Sequence, residues 1–157
     1  MRIKINIPES LHDITLGQYQ EYLDAQEKID DDYQLGSRMI EIFCNIPVRD
    51  VFQFRMSHIT NIQKTLIKIF EHKTESLINR FTVNDIEFGF IPSLDEMTFG
   101  EYVDIDTYIK DWKQMHKAMA VLYRPIESKY DDRYNIVAYD GEETDIMKDM
   151  PLSVCFS

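Results

Sequence analysis

The chain has 157 residues, of which 44% are hydrophobic and 12% aromatic, and its formal net charge is −11. This length suits one domain over residues 1–157, and the hydrophobic fraction is too high for a disordered chain. The charge disfavours a nucleic-acid-binding surface, which has to be basic. No apolar run reaches the roughly 20 residues that cross a bilayer. We therefore expect a soluble, unexported protein without direct contact to nucleic acid or membrane.

Alternation and a helix-capping signal mark the start of the chain. Residues 2–7 alternate isoleucine with polar side chains, which is the period of a half-buried strand, and Pro8 ends this pattern. Thr15 then suits the N-cap of a helix, with Gln18 at the position that completes a capping box. The sequence predicts a strand followed by a capped helix.

Two further helices are predicted in the first half. After the acidic loop Asp30–Asp32, an apolar stripe indicates a helix over 34–45, which Pro47 is expected to end. Residues 57–72 carry apolar side chains at clear helical spacing. This second pattern is the strongest helical signal in the chain.

In two stretches, apolar and polar residues alternate as they do in the strands of β-hairpins. The first covers 80–91 and contains a two-residue turn, Asn84 and Asp85, whose residue types tolerate positive φ. The second covers about 130–139 and is followed by a turn at Asp140 and Gly141. Both hairpins belong to the second half.

The helices of the second half begin with a repeat of the capping signal. Thr98 is a predicted N-cap with Glu101 at the capping-box position. From Tyr108 to Leu122 an apolar stripe continues at helical spacing and is expected to stop at Pro125. A last helix is predicted over 142–157; a full copy of the first half would continue beyond it, so the completeness of the C terminus stays open.

The most informative feature is an internal repeat. Ser93–Tyr102 aligns without gaps on Ser10–Tyr19, 83 residues earlier, with five identical positions. Self-similarity at a fixed spacing indicates a duplicated architecture. We therefore predict an α+β, mostly helical single domain, made of two pseudo-repeated strand–helix–helix halves over about 1–79 and 80–157, with short β-hairpins.

The repeated Thr-x-Gly-x-Tyr has a structural and a functional interpretation. Structurally, the threonine caps a helix, the glycine admits a neighbouring backbone, and the tyrosine packs with its hydroxyl on a polar partner. Functionally, the two copies would form a pseudo-symmetric docking surface. The candidate partner-binding residues are Thr15, Gly17, Tyr19, Thr98, Gly100, Tyr102, Trp112 and His116.

Known catalytic and metal-binding motifs are missing from the sequence. It contains no nucleophile elbow, phosphate-binding loop, dinucleotide fingerprint or HExxH. The nearest metal-like spacings, both interpreted as solvated acidic surface, are Asp30, Asp32, Gln34 and Glu41, and Asp104 with Asp106. Cys44 is expected in the core, and we predict no cofactor, no metal site and no catalytic residue.

The second half also resembles a known class of proteins. The stretch from Phe88 to Ile126, FGFIPSLDEMTFGEYVDIDTYIKDWKQMHKAMAVLYRPI, resembles small virion-associated or assembly proteins of tailed bacteriophages, and Ile14–Leu23 resembles them more loosely. A β-hairpin followed by a helix of this kind is similar to phage tail assembly chaperones. The resemblance implies other phage structural proteins as partners, and the host cytoplasm during assembly, or the virion itself, as the location.

We therefore predict a non-enzymatic bacteriophage structural or assembly protein that acts by protein–protein contact. One alternative is an acidic nucleic-acid mimic that inhibits a host DNA-binding protein. Another is a small enzyme that uses His116 with Asp111 or Asp104. The oligomeric state and the identity of the partner are not specified by the sequence.

Overall fold

The computed structural model describes residues 6–71, 76–141 and 145–157. Its helices are α1 (Leu16–Lys28), α2 (Asp32–Cys44), α3 (Val48–Val51), α4 (Met56–Glu71), α5 (Phe99–Tyr108), α6 (Met115–Leu122) and α7 (Leu152–Cys155). Its strands are β1 (Arg80–Val83), β2 (Ile86–Phe90), β3 (Tyr123–Tyr130) and β4 (Arg133–Ile136). The predicted α+β, mostly helical class is confirmed.

The chain divides into two compact units. The first comprises residues 1–75 with Pro151–Phe156, and the second comprises residues 76–150 with Ser157. That both units belong to one domain stays a prediction.

The first unit is built from α1 to α4 and α7. α4 has the apolar face that its periodicity predicts, with Ile62, Leu66 and Ile69 buried. Phe43 of α2 packs against Phe70 of α4 with ring centroids 5.2 Å apart. Aromatic contact between α2 and α4 therefore lies at the centre of this unit's core.

Side chains set both ends of α2. The Asp31 carboxylate accepts a hydrogen bond from the Gln34 amide at 2.9 Å, so the predicted acidic loop supplies the N-cap. At the other end Asn45 adopts a left-handed conformation with φ of 55°. The helix thus ends at Cys44, close to the predicted end at residue 45, and Pro47 lies just beyond the cap, where it immediately precedes α3.

The second unit contains a four-stranded antiparallel sheet of order β1-β2-β3-β4. The predicted first hairpin is confirmed, and its turn residues Asn84 and Asp85 have φ of 50° and 64°. A second hairpin is present as well, but its strands are β3 and β4, so it begins before the predicted span of about 130–139; Asp131 in its turn has φ of 53°. In both turns the short polar side chains make the positive φ tolerable.

Aromatic side chains fill the core of the second unit. Phe81 stacks on Phe88 at 5.4 Å between centroids and meets Tyr123 edge-on at 5.1 Å. The Tyr134 hydroxyl donates to the Phe90 carbonyl at 2.7 Å. Its ring lies so close to Gly89 that a Cβ there would collide with it, so this strand position requires glycine.

The helical stripe predicted from Tyr108 to Pro125 is interrupted in the structure. α5 ends at Tyr108, a 3₁₀ turn covers Trp112–Gln114, and α6 follows. The break has a local cause, because the Asp111 carboxylate accepts from the Lys113 amide at 3.0 Å and starts a new turn. The predicted stop at Pro125 is also wrong: β3 begins at Tyr123, because Tyr123 and its neighbours pair with β2.

Both ends of the chain differ from the prediction. Of residues 142–157, predicted as one helix, 142–144 lie outside the described residues; Asp145–Asp149 form a 3₁₀ turn and α7 spans one turn. Pro151 separates the two because it lacks the amide that a continuous helix requires. Most of the predicted N-terminal strand, residues 1–5, lies outside the described residues, as does His72, and Asn6 and Ile7 have no regular structure.

The larger pseudo-repeat stays a prediction. All four named strands belong to the second unit. Within the described residues of the first unit, the only strand-like pairing is an isolated bridge between Thr15 and Pro151. The agreement between the two units is limited to the short repeated segments.

Candidate protein-binding surface

The two repeated segments have the same local structure. The first motif, Ser10–Tyr19, forms a 3₁₀ turn followed by the first residues of α1, and the second motif, Ser93–Tyr102, forms the equivalent turn followed by the start of α5. Each helix has a complete capping box, as predicted. The Thr15 hydroxyl accepts from the Gln18 amide at 3.1 Å, and the Thr98 hydroxyl accepts from the Glu101 amide at 3.2 Å.

The first motif is covered by the terminal segment, Pro151–Phe156. Pro151 pairs with Thr15, and the Leu152 amide donates to the Ile14 carbonyl at 2.7 Å. α7 packs on the 3₁₀ turn of the first motif and on α1. Leu152 is itself fully buried. Leu16, the first residue of α1, is inaccessible to solvent as well.

Tyr19 has a structural position in this arrangement. Its ring meets Phe156 edge-on with centroids 5.6 Å apart and lies 5.7 Å from Phe70. Burial raises the pKa of the Tyr19 hydroxyl, and Tyr22 adds to the rise. Gly17 lies half-buried in the first turn of α1. In the first motif, Thr15, Gly17 and Tyr19 therefore lie in the packed part of the unit.

In the described part of the chain, the second motif is exposed where the first is buried. Its apolar side chains, with Val103 of the same helix, are exposed: 56% for Leu94, 82% for Phe99 and 61% for Tyr102. Phe99, Tyr102 and Val103 follow the i, i+3, i+4 spacing that places side chains on one helix face. We name Leu94, Phe99, Tyr102 and Val103 the second-motif face.

Gly100 does not have the role that was expected of it. A Cβ placed at this position would have no heavy atom within 4 Å, so no neighbouring backbone approaches the glycine. Among the described residues, the expectation of a close backbone approach is therefore wrong at Gly100.

The opposite side of α5 is held by polar contacts. The buried carboxylate of Glu101 accepts from the Arg124 guanidinium at 3.1 Å, and Arg124 is buried as well. The Asp104 carboxylate accepts from the Tyr139 hydroxyl at 2.6 Å. Burial raises the pKa of Tyr139 above its usual range, and the hydrogen bond to Asp104 adds to the rise.

Helix α5 is therefore amphipathic in the reverse sense. A surface helix normally turns its apolar stripe inward and its charged residues to solvent. The first turns of α5 instead direct Glu101 and Asp104 inward and leave Phe99 and Tyr102 in solvent. Further along, Ile105 and Tyr108 are half-buried and Asp106 is exposed, as is usual for a surface helix. A helix of this kind can contribute an apolar surface to a partner without unfolding.

The remaining predicted candidates do not lie on this face. Trp112 is partly exposed in the 3₁₀ turn between α5 and α6, while His116 is buried in α6. The Asp145 carboxylate lies 4.0 Å from His116 Nε2. Burial and the positive charge of Lys148 lower the pKa of His116 more than Asp145 raises it.

A second exposed apolar region lies in the first unit. Tyr33, Phe52 and Met56 are largely exposed beside a groove of about 420 Å³. Asp32 is the acidic residue among the residues that line it. Sequence reasoning missed this groove and three of the four residues of the second-motif face, because their helical spacing alone does not reveal which side meets solvent.

The acidic groups considered for metal binding have other roles. Glu41 pairs with Arg38, Asp104 accepts from Tyr139, and Asp106 lies 3.6 Å from Lys110. Among residues 6–71, 76–141 and 145–157, His, Cys, Asp and Glu form no group of three or more suited to a metal ion.

In the same described ranges, no helix is both long and apolar enough to cross a membrane. Comparisons with models of protein families, with curated proteins and with solved structures gave no match.

Proposed function

We propose that this chain is a non-enzymatic protein of bacteriophage virion assembly that acts by protein–protein contact, in the role of a tail assembly chaperone. Its partners would be other phage structural proteins, met in the host cytoplasm during assembly or retained in the virion. The reverse amphipathicity of α5 is the observation that carries the proposal of protein–protein contact. The resemblance of Phe88–Ile126 to phage assembly proteins supports the biological context.

The energetic argument rests on the exposed aromatic side chains. Full burial of a phenylalanine side chain contributes about 1.5–3 kcal/mol. Phe99 and Tyr102 are left in solvent by the folded chain, so this contribution is available to an interface. Aromatic residues are enriched at the buried centres of such interfaces.

The polar anchoring of α5 supports the same role. An interface helix has to keep its position while its apolar side is free. The Glu101–Arg124 pair and the Asp104–Tyr139 hydrogen bond hold the inner side without apolar contact from Phe99 or Tyr102. The binding side is therefore available before the partner arrives, which lowers the cost of ordering.

Composition fits a protein that accompanies aggregation-prone partners. A net charge of −11 keeps copies of the chain apart through mutual repulsion. Its eight methionines provide flexible apolar side chains that adapt to different surfaces.

The proposal is tested by size-exclusion chromatography with light scattering. The protein is run alone and with each major tail and head protein encoded in the same genome. We expect a defined complex with one of them, and loss of that complex in Phe99→Asp. Tyr130→Asp is the matched control, because Tyr130 is a similarly exposed aromatic residue outside the second-motif face. Indifference to every structural protein would overturn the proposal.

A further inference from the structure

The two repeated motifs have the same local structure, but the first is buried and the second is exposed. Both motifs consist of a 3₁₀ turn, a capping threonine and a helix start, and their positions correspond one to one. Leu11 is 4% exposed and its counterpart Leu94 is 56% exposed. The covering segment of the first motif therefore indicates what chemistry fits the second.

The terminal segment binds the first motif by two kinds of contact. Its backbone supplies an amide hydrogen bond, from Leu152 to the Ile14 carbonyl. Its side chains supply apolar contact, since Leu152 and Val154 are buried and Phe156 meets Tyr19. It is a short, proline-led apolar stretch that needs no charged group for its docking.

The second motif presents the corresponding elements. Met97 corresponds to Ile14, so its carbonyl has the position of the acceptor. Phe99 and Tyr102 correspond to Leu16, which is buried, and to Tyr19, which meets Phe156 of the terminal segment. The second-motif face is thus apolar at the same positions as the occupied one.

The two motifs differ in charge. Asp95 and Glu96 are exposed in the 3₁₀ turn of the second motif, where the first motif has His12 and Asp13. Asp106 adds a further carboxylate on α5. An occupant with basic residues beside its apolar stretch would be attracted to this acidic rim.

We propose that the second-motif face binds, in trans, a proline-led apolar segment of another protein that is flanked by lysine or arginine. The occupant docks as Pro151–Phe156 docks on the first motif, with a backbone amide donating to the Met97 carbonyl. Its apolar side chains cover Leu94, Phe99 and Tyr102. The inference deepens the proposed function and rests on it only for the identity of the partner.

The test is a peptide titration of the full chain labelled with ¹⁵N and followed by NMR. The probe is a synthetic peptide of residues 150–157 with Cys155→Ser and two lysines added at its N terminus. We expect saturable shifts confined to Ser93–Asp106, and affinity reduced about tenfold or more in Phe99→Ala, the loss that follows from removing a buried aromatic contact. Tyr130→Ala is the control and should bind as the parent does.

A second probe tests the backbone hydrogen bond. The same peptide with an N-methylated leucine lacks the donor that corresponds to the Leu152 amide, and it should bind more weakly. Both protein substitutions lie at exposed side chains, and circular dichroism verifies that each variant is folded.

Three results of the titration would overturn the inference. They are no shift up to millimolar peptide, shifts confined to Leu11–Tyr19, and equal affinity for the parent and Phe99→Ala. A homodimer that is lost in Phe99→Ala would identify a second copy as the occupant and would also contradict it. Because the titration uses no phage protein, the peptide can bind even if the assembly role fails. Conversely, a phage protein can bind a different surface.

Discussion

Leu16 and Phe99 are the first residues of two helices that begin with the same capping box, yet Leu16 is fully buried and Phe99 is among the most exposed side chains. Around the first motif, the terminal segment Pro151–Phe156 pairs with Thr15 and packs on the 3₁₀ turn and on α1. One local sequence pattern thus serves as core in the first unit and as surface in the second.

Glu101 is expected to stabilise the second unit in two ways. It completes the capping box of α5, and its negative charge pairs with Arg124. Glu101→Gln keeps an amide able to complete the capping box, as Gln18 does in the first motif. It removes the buried negative charge beside Arg124, and the loss of one partner of a buried pair costs about 3–5 kcal/mol. Urea unfolding monitored by circular dichroism measures the change. Glu96→Gln, at an exposed position, should shift the free energy of unfolding by less than about 0.5 kcal/mol.

The two capping threonines are expected to contribute equally. Thr15→Ala and Thr98→Ala each remove a side-chain acceptor from the first turn of a helix, at a cost of about 1 kcal/mol. Thr15→Ser and Thr98→Ser retain the acceptor and should recover most of the loss. Thermal unfolding of the four variants gives the comparison, and an unchanged midpoint for Thr98→Ala would show that its cap is dispensable.

Stability should decrease below neutral pH through His116. Its folded-state pKa is lowered, so the unfolded chain binds the proton more readily than the native protein does. The stabilisation from the neutral side chain is present above the ordinary histidine pKa of about 6.5. It is lost progressively as the pH falls through that value towards the lowered one. The melting temperature of the parent should fall more steeply from pH 7.5 to 5.5 than that of His116→Gln; parallel slopes would contradict this assignment.

Alkylation of Cys155 should report on the docking of the terminal segment. Burial raises the pKa of Cys155 to about 12 and that of Cys44 to about 11. Since the thiolate is the reactive form, both cysteines should react slowly with iodoacetamide at pH 8 in the folded protein. Tyr19→Ala removes a ring contact of Phe156 and should accelerate modification of Cys155 selectively, as mass spectrometry would detect. Equal acceleration at Cys44 would indicate general unfolding instead.

Local chemistry made much of this fold predictable. The capping boxes of Thr15 and Thr98 and the turn at Asn84 and Asp85 depend on neighbouring residues only, and each was predicted correctly. The apolar face of α4 follows from its periodicity in the same way. These features need no knowledge of distant contacts.

Features that depend on competing local structures, or on contacts between residues far apart in the sequence, were not predictable. The stripe from Tyr108 to Leu122 fits a continuous helix, but the Asp111 side chain caps a new turn inside it. The segment around Pro125 fits a helix stop, but pairing with β2 makes it a strand. The exposure of Phe99 could not be deduced from the repeat, because Leu16 at the matching position is buried.

The most direct measurement compares Leu16→Ala with Phe99→Ala for both stability and peptide binding. Leu16→Ala should lower the free energy of unfolding by about 2–5 kcal/mol, because it leaves a cavity in a packed core. Phe99→Ala should change the free energy of unfolding by less than about 0.5 kcal/mol, as expected at an exposed site, and should lose most of its affinity for the lysine-extended peptide of residues 150–157. If Phe99→Ala is destabilised like Leu16→Ala, or binds the peptide as the parent does, the second motif is not a binding surface.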